Sequence, residues 1–390
     1  VTGFAARIDA ATPPGRDRGI DALRALAILG VVGGHWLVTA LVADSGTVRG
    51  ASPLAAMPHL VPVSWVFQTL AVFFLVGGVV AAGSWTSAQK RGVPYGRWVG
   101  GRLARLFRPV AAVLTVWTLA AGAMLAAGVG EPTVRALGKL VWSPLWFLLV
   151  FAALTALTPL VARLHPLWPL VVVLHVDLLR LGLGGARELG WVNVVAGWLV
   201  PYCLGALVAR GGLRGRAGRW GLLLGGASAA AGLVLWAGYP AAMVGVPGGR
   251  FSNLDPPSLA AVAFGLAQCG AALLLLGPLR RVLRRPAAWA AVAVVNLAAM
   301  TVFLWHQTAM IIVTTTALAL TDGPLPGLHT VPDDTGWVVA RLLWLPVFAL
   351  ALLGCWAVFR GYEQSGRRTD GGSLVVRESA PARKGRVRRA

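Results

Sequence analysis

The chain has 390 residues, 57% of them hydrophobic and only 13% charged, with a net charge of +21. A soluble domain of this length carries about a quarter of its residues as charged groups, so the composition excludes one. So large a basic excess in a soluble protein would point to nucleic acid, but here the Lys and Arg residues punctuate long apolar runs, and a mean hydropathy of +0.72 points to a membrane instead.

Crossing a bilayer takes roughly 20 helical residues. In chain order the apolar runs are 20–43, 65–84, 107–128, 141–161, 166–180, 191–209, 220–239, 258–277, 297–320 and 336–359. The expected fold is therefore all-α, a polytopic membrane bundle of about ten transmembrane helices. The first run is too long for a signal-peptide core and lacks a cleavage site, so it is expected to remain as a span. The fifth is the shortest and carries His175, Asp177 and Arg180. The expected division is an N-terminal segment 1–19, a transmembrane domain 20–360, and a basic tail 361–390. That tail is too polar to fold and is suited to anionic headgroups.

An even number of spans puts both termini on one side, and charge decides which side. Alternate connections gather Arg7, Arg16 and Arg18, then Lys90 to Arg108, Arg163, Arg210 to Arg219, Arg280 to Arg285, and the tail. The opposite face holds only Arg49, Arg135, Lys139, Arg180, Arg187, Arg250 and Arg341, scattered singly. The positive-inside rule then predicts a multi-pass protein of the cell membrane with cytoplasmic N- and C-termini. Cys203, Cys269 and Cys355 stand alone in apolar stretches without metal-ligand spacing, so they read as packing residues and no metal site is expected.

Ionisable groups inside a span are costly, and each one is a candidate site. Arg24 and His35 lie eleven residues apart, about 20° past three full turns, so they share one helix stripe at roughly 16 Å separation. Arg24 either snorkels to the interface or binds a ligand there. His35 is too deep to snorkel, and is either a hydrogen-bonded helix contact or a reactive base. His306, in Phe303-Leu304-Trp305-His306-Gln307, is the second deep histidine. Two imidazoles near mid-membrane imply a polar cavity in the bundle. His59, His165 and His329 fall in loops or at interfaces, where exposure accounts for them. His175 and Asp177 are two residues apart and point to different sides of a helix, which suits no joint metal site.

Arg97, Arg102, Arg105 and Arg108 precede the third run and end at Pro109. They anchor topology, and several guanidiniums on one face also suit a polyanionic ligand. The stretch 142–148 reads as an aromatic belt, and Phe73-Phe74-Leu75-Val76-Gly77-Gly78 as close helix packing by small residues.

Taken in order, these segments resemble acyltransferase family three, membrane proteins that acylate O-antigens, Nod factors and macrolides. The family's opening signature is matched by Asp21-Ala22-Leu23-Arg24-Ala25-Leu26-Ala27 running on to His35. Its FFxxSG element is matched by Phe73 to Gly78, with Gly77 in place of the serine. Arg105 to Pro109, Leu145-Trp146-Phe147-Leu148 and Trp305-His306 match three further elements. The resemblance covers residues 20 to about 310 and implies transfer of an acyl group, often acetyl, from acyl-CoA to a hydroxyl of a glycan or natural product. In that scheme His35 is the general base and Arg24 binds or gates the donor. Arg102, Arg105 and Arg108 hold its phosphates, and His306 orients the acceptor or stabilises the oxyanion. The implied partners are acyl-CoA, the hydroxyl acceptor and membrane lipids, with neither nucleic acid nor metal. A transporter or flippase is the rival reading, since it too would bury charge in a bundle, but no internal repeat or matched pair of broken helices is visible.

Overall fold

A computed structural model describes residues 2–44, 46–247 and 251–368. A short helix α1 (Thr2–Ala10) precedes α2 (Arg18–Val38). A hairpin of β1 (Ala40–Asp44) and β2 (Thr47–Ala51) follows, pairing Ala40 with Ala51 through to Asp44 with Thr47. Short helical turns then lead into α3 (Leu70–Lys90) and α4 (Tyr95–Ala126). Next come α5 (Glu131–Trp142), α6 (Trp146–Ala156), α7 (Leu167–Asp177), α8 (Gly190–Ala209) and α9 (Arg216–Trp236). The chain ends with α10 (Leu259–Val282), α11 (Pro286–Leu297), α12 (Ala299–Leu320) and α13 (Thr335–Arg368). The stretch 369–390, most of the expected basic tail, lies outside the described residues.

Among the described residues, nine helices are long and apolar enough to cross a membrane. The expected fifth run, 166–180, accounts for the difference from ten. There α7 has eleven residues and then widens into a π turn, Leu178–Gly182. By itself α7 is too short for a bilayer core of about 30 Å. Its last residue, Asp177, is 2% exposed and belongs to a buried polar knot. One carboxylate oxygen accepts from the Asn193 amide at 2.9 Å; the other accepts from the Tyr239 hydroxyl at 3.0 Å and the Leu259 backbone N–H at 2.7 Å. Three donors on three segments explain how a carboxylate is tolerated at that place.

Helix crossings are set by small residues, as bilayer proteins require in the absence of a hydrophobic driving force between helices. A side chain at Gly78 would overlap the Tyr202 carbonyl on α8, and one at Gly205 would overlap the Leu75 carbonyl on α3. These reciprocal contacts bring α3 and α8 together backbone to backbone. Around them the Phe74 and Trp198 rings stack at 5.0 Å, and Trp305 on α12 stacks on Phe359 of α13 at 3.7 Å.

Both ends of α2 are fixed by charge. At its start Asp17 caps the helix, accepting from the backbone N–H of Gly19 at 3.0 Å and of Ile20 at 3.3 Å, and pairs with Arg280 at 2.5 Å. Burial alone would push the Asp17 carboxyl up, but the Arg280 guanidinium and the two backbone donors outweigh it and hold it below its ordinary value. At the far end the fully buried Arg341 of α13 donates to the carbonyls of Trp36 at 2.6 Å, Thr39 at 2.5 Å and Gly327 at 2.9 Å. Those carbonyls include ones that the end of α2 leaves without an intrahelical partner, and the cation sits where the helix dipole favours it.

Two stability outcomes follow from these ends. Arg341→Met strands three carbonyls in the bundle and should destabilise the protein by about 3 kcal/mol or more, read as a lower midpoint of thermal unfolding in detergent. Asp17→Ala should cost about 1 kcal/mol through the lost cap, and Asp17→Asn less, because the amide oxygen still accepts. Since the folded carboxyl is held below its ordinary value, its contribution is full at neutral pH and disappears as pH falls through that depressed value. Unfolding midpoints measured from neutral to acidic pH should therefore converge for the wild type and Asp17→Asn.

Candidate active site

Two helices, α2 and α12, bring a pair of histidines together inside the bundle. His35 stands in the last turn of α2, and His306 about two turns into α12. The indole N–H of Trp36 donates to the His306 carbonyl at 2.9 Å and locks the helices in register. The two imidazole rings lie 5.1 Å apart, inclined at 51°. His306 and its neighbour Gln307 are buried, at 1% and 2% exposure, while His35 is partly open.

Hydrogen bonding defines what each ring can do. His306 Nδ1 lies 2.5 Å from the Phe303 carbonyl. A carbonyl only accepts, so Nδ1 carries the proton and Nε2 keeps its lone pair. That Nε2 is buried and has no hydrogen-bond partner among the described residues, and the same holds for Gln307 Oε1. The Gln307 amide nitrogen lies 3.1 Å from His35 Nδ1. With the amide donating, His35 carries its own proton on Nε2. The centre thus offers two buried acceptors and one imidazole N–H, an arrangement suited to receiving a hydroxyl proton and to donating to a developing negative charge.

A second polar region lies toward the start of α2. Arg24, Arg102 and Arg105 line a cavity of about 320 Å³ together with Phe73, Gly77, Phe151, Thr155, Asn296 and Met300. Arg102 is half-buried with its guanidinium 5.2 Å over the Trp98 ring. Arg108 is exposed and does not line the cavity. Each step of three residues falls about 60° short of a full turn, so Arg108 sits about 120° around α4 from Arg102. Three of the four arginines expected to act together therefore converge.

The glycine at position 77 has a local explanation. A side chain there would overlap the ring of Phe151 on α6, so Phe151 fills the space that a serine would need. Nor is 142–148 simply a belt: Trp142 is exposed, but Phe147 is buried against Phe73 and Phe303.

Other sequence candidates separate cleanly. His59, His165 and His175 are exposed. His329, expected to be exposed in a loop, is instead buried at 1%, where Nδ1 accepts from the Leu325 N–H at 3.0 Å and Nε2 faces the Thr314 carbonyl at 2.8 Å. It pins a turn under the hairpin end of the bundle. Gln307, Trp36 and Arg341 were not singled out as site residues. Arg341 carried a signal, being a cation inside an apolar run; Gln307 carried a weaker one, as the polar neighbour of a deep histidine.

Comparison with known proteins identifies the family. Residues 17–360 match the family model described as an acyltransferase domain. No curated protein and no solved structure matches the chain. The match embraces every helix that contributes to the two polar regions. The chain belongs to acyltransferase family three and is a multi-pass membrane acyltransferase.

Proposed function

We propose that this protein moves a short acyl group, acetyl in the simplest case, from acyl-CoA to a hydroxyl of a glycan or natural product. The observation that carries the reading is the pair of buried, unpartnered acceptors, His306 Nε2 and Gln307 Oε1, beside a second imidazole. Unpaired acceptors at such burial are costly, and a substrate O–H is the group that would satisfy them.

The hydroxyl oxygen attacks the thioester carbonyl carbon; a C–O bond forms and the C–S bond breaks. The hydroxyl proton passes to an imidazole and from there to the departing thiolate, leaving an ester and free coenzyme A thiol. His306 is suited to take the proton, because the Phe303 carbonyl holds its Nδ1–H and leaves Nε2 basic. His35, oriented through Gln307, is suited to donate its N–H to the oxyanion. This division exchanges the roles that the sequence resemblance implies while keeping both residues in the centre. Arg24, Arg102 and Arg105 would receive the donor's phosphates, with guanidiniums matched to phosphate oxygens. Arg108, facing elsewhere on α4, serves as surface charge. Basic residues gather at the start of α2, where Arg280 also meets Asp17, and this charge asymmetry favours a cytoplasmic arginine end. A soluble donor would then enter from the cytoplasm, and its long thin arm would carry the thioester inward.

The test is release of coenzyme A thiol from acetyl-CoA by purified protein, with candidate hydroxyl acceptors present. His306→Ala should lower the rate by about 100-fold or more, and full activity in that variant contradicts the assignment. His35→Ala should also lose most activity, with His35→Gln retaining more because it keeps an N–H. Arg102→Ala should chiefly raise KM for acetyl-CoA, with a smaller change in kcat.

A further inference from the structure

A group of aromatic rings that the reaction above does not use adjoins the arginine cavity. Arg102 lines the cavity, and its guanidinium also lies 5.2 Å over the Trp98 ring. Trp98 precedes Arg102 by four residues on α4, and Ser84 follows the cavity-lining Val80 by four on α3. An interval of four keeps one helix face and moves about 6 Å along the axis. The Trp98 indole N–H donates to the Ser84 hydroxyl at 2.8 Å and joins the two helices at that level. Trp85 packs against Trp98 at 5.1 Å, and edge-on against Tyr95 at 5.9 Å with an interplanar angle of 88°. At the other end of α4, Trp117 donates to Thr308, two residues beyond His306. The helix thus runs from Tyr95 and Trp98, past Arg102 and Arg105, toward the histidine pair, and the rings stand at the entrance of the donor path.

Tyrosines of an interfacial belt turn their hydroxyl to headgroups and water. Tyr95 does the reverse. Its hydroxyl donates inward to the Ala156 carbonyl at 2.8 Å, beside Thr155, which lines the cavity. Ala156 is the last residue of α6, where helix carbonyls lack intrahelical partners. The polar handle is therefore spent on anchoring the residue, yet Tyr95 remains 43% exposed. What it offers to a ligand is ring surface.

We infer that Tyr95, backed by Trp85 and Trp98, is the platform on which the purine base of the acyl-CoA nucleotide stacks. This deepens the functional reading above and rests on it. A nucleotide whose phosphates rest at Arg102 and Arg105 carries its base one sugar away, and the rings begin about one helical turn from Arg102. Continuity with the arginine cavity selects this occupant, because a ligand bearing both phosphate and an aromatic base has both partners within reach. Stacking of a base on an aromatic side chain contributes roughly 5- to 150-fold in affinity.

Binding tests the platform without knowledge of the acceptor. Affinities of the purified protein in detergent would be measured for coenzyme A by calorimetry. Those for 4′-phosphopantetheine, which keeps the thiol arm and one phosphate but lacks the nucleoside, would be read by displacement. Tyr95→Leu should weaken coenzyme A by about fivefold or more and leave 4′-phosphopantetheine within about twofold of the wild type. Tyr95→Phe and Tyr95→Trp lose the hydroxyl but keep a ring, and should hold coenzyme A within about threefold of the wild type. A dissociation constant is unaffected by the fraction of correctly folded protein, so partial loss of a variant leaves the result interpretable. Unchanged coenzyme A affinity in Tyr95→Leu overturns the platform. So does equal weakening of the two ligands, and so does a Tyr95→Phe variant as weak as Tyr95→Leu, which would assign the residue to capping α6. In each of these cases coenzyme A binding by the wild type upholds the donor site. Absence of that binding overturns the donor reading itself, and the platform with it.

Discussion

A guanidinium buried against three backbone carbonyls fixes where the first spanning helix stops. Inside a bundle, backbone groups released by the end of a helix must find protein partners. Here α2 ends beneath a hairpin whose Ala40, Leu41 and Val42 are fully buried, so water is not the natural partner for its last carbonyls. Arg341 reaches across from α13 to the carbonyls of Trp36, Thr39 and Gly327, joining the end of α2, the loop before α13 and α13 itself. The next link is chemical. Trp36, held through its carbonyl, uses its indole N–H to hold the His306 carbonyl. The depth and facing of the two imidazoles thus depend on a charge that touches neither ring.

From that fixed point the molecule separates two electrostatic tasks. Cationic side chains gather at the entrance of α2, where Arg24, Arg102 and Arg105 share one cavity. Neutral hydrogen-bonding groups gather inside, where His306 Nε2 and Gln307 Oε1 are buried acceptors without a partner among the described residues and would be satisfied by a donor such as a substrate hydroxyl. In the proposed reaction, keeping the two apart avoids placing guanidiniums beside imidazoles that would exchange a proton. In the same proposal the membrane is part of the chemistry, since a polar donor would stay at one surface while its reactive end works at depth.

Much of this was legible in the sequence because it follows from period and polarity. Apolar run length gave nearly every span, and the eleven-residue interval put Arg24 and His35 on one stripe of α2. Depth marked His306, since a histidine in hydrocarbon needs a reason. What sequence could not show was tertiary. The convergence of Arg102 and Arg105 with Arg24, and the departure of Arg108, depend on how α4 lies against α2. The burial of His329 depends on a turn folded back onto α12, which no local pattern announces. The fifth run failed as a full span because Asp177 is claimed by Asn193, Tyr239 and the Leu259 N–H, partners as far as 82 residues away. Gly77 was visible as a departure from a motif, but its reason, the ring of Phe151, appears only once α3 and α6 are packed.

The account stands or falls on the arginine cavity and the histidine pair being the two ends of one donor path. A cryo-electron microscopy structure of the protein with bound acetyl-CoA tests this directly. The account predicts nucleotide phosphates against Arg102 and Arg105, the pantetheine arm passing the Phe73 and Phe151 rings, and the thioester carbonyl beside His306 and His35. A nucleotide bound at the hairpin end, or a thioester left outside the aromatic rings and turned away from both histidines, would contradict it.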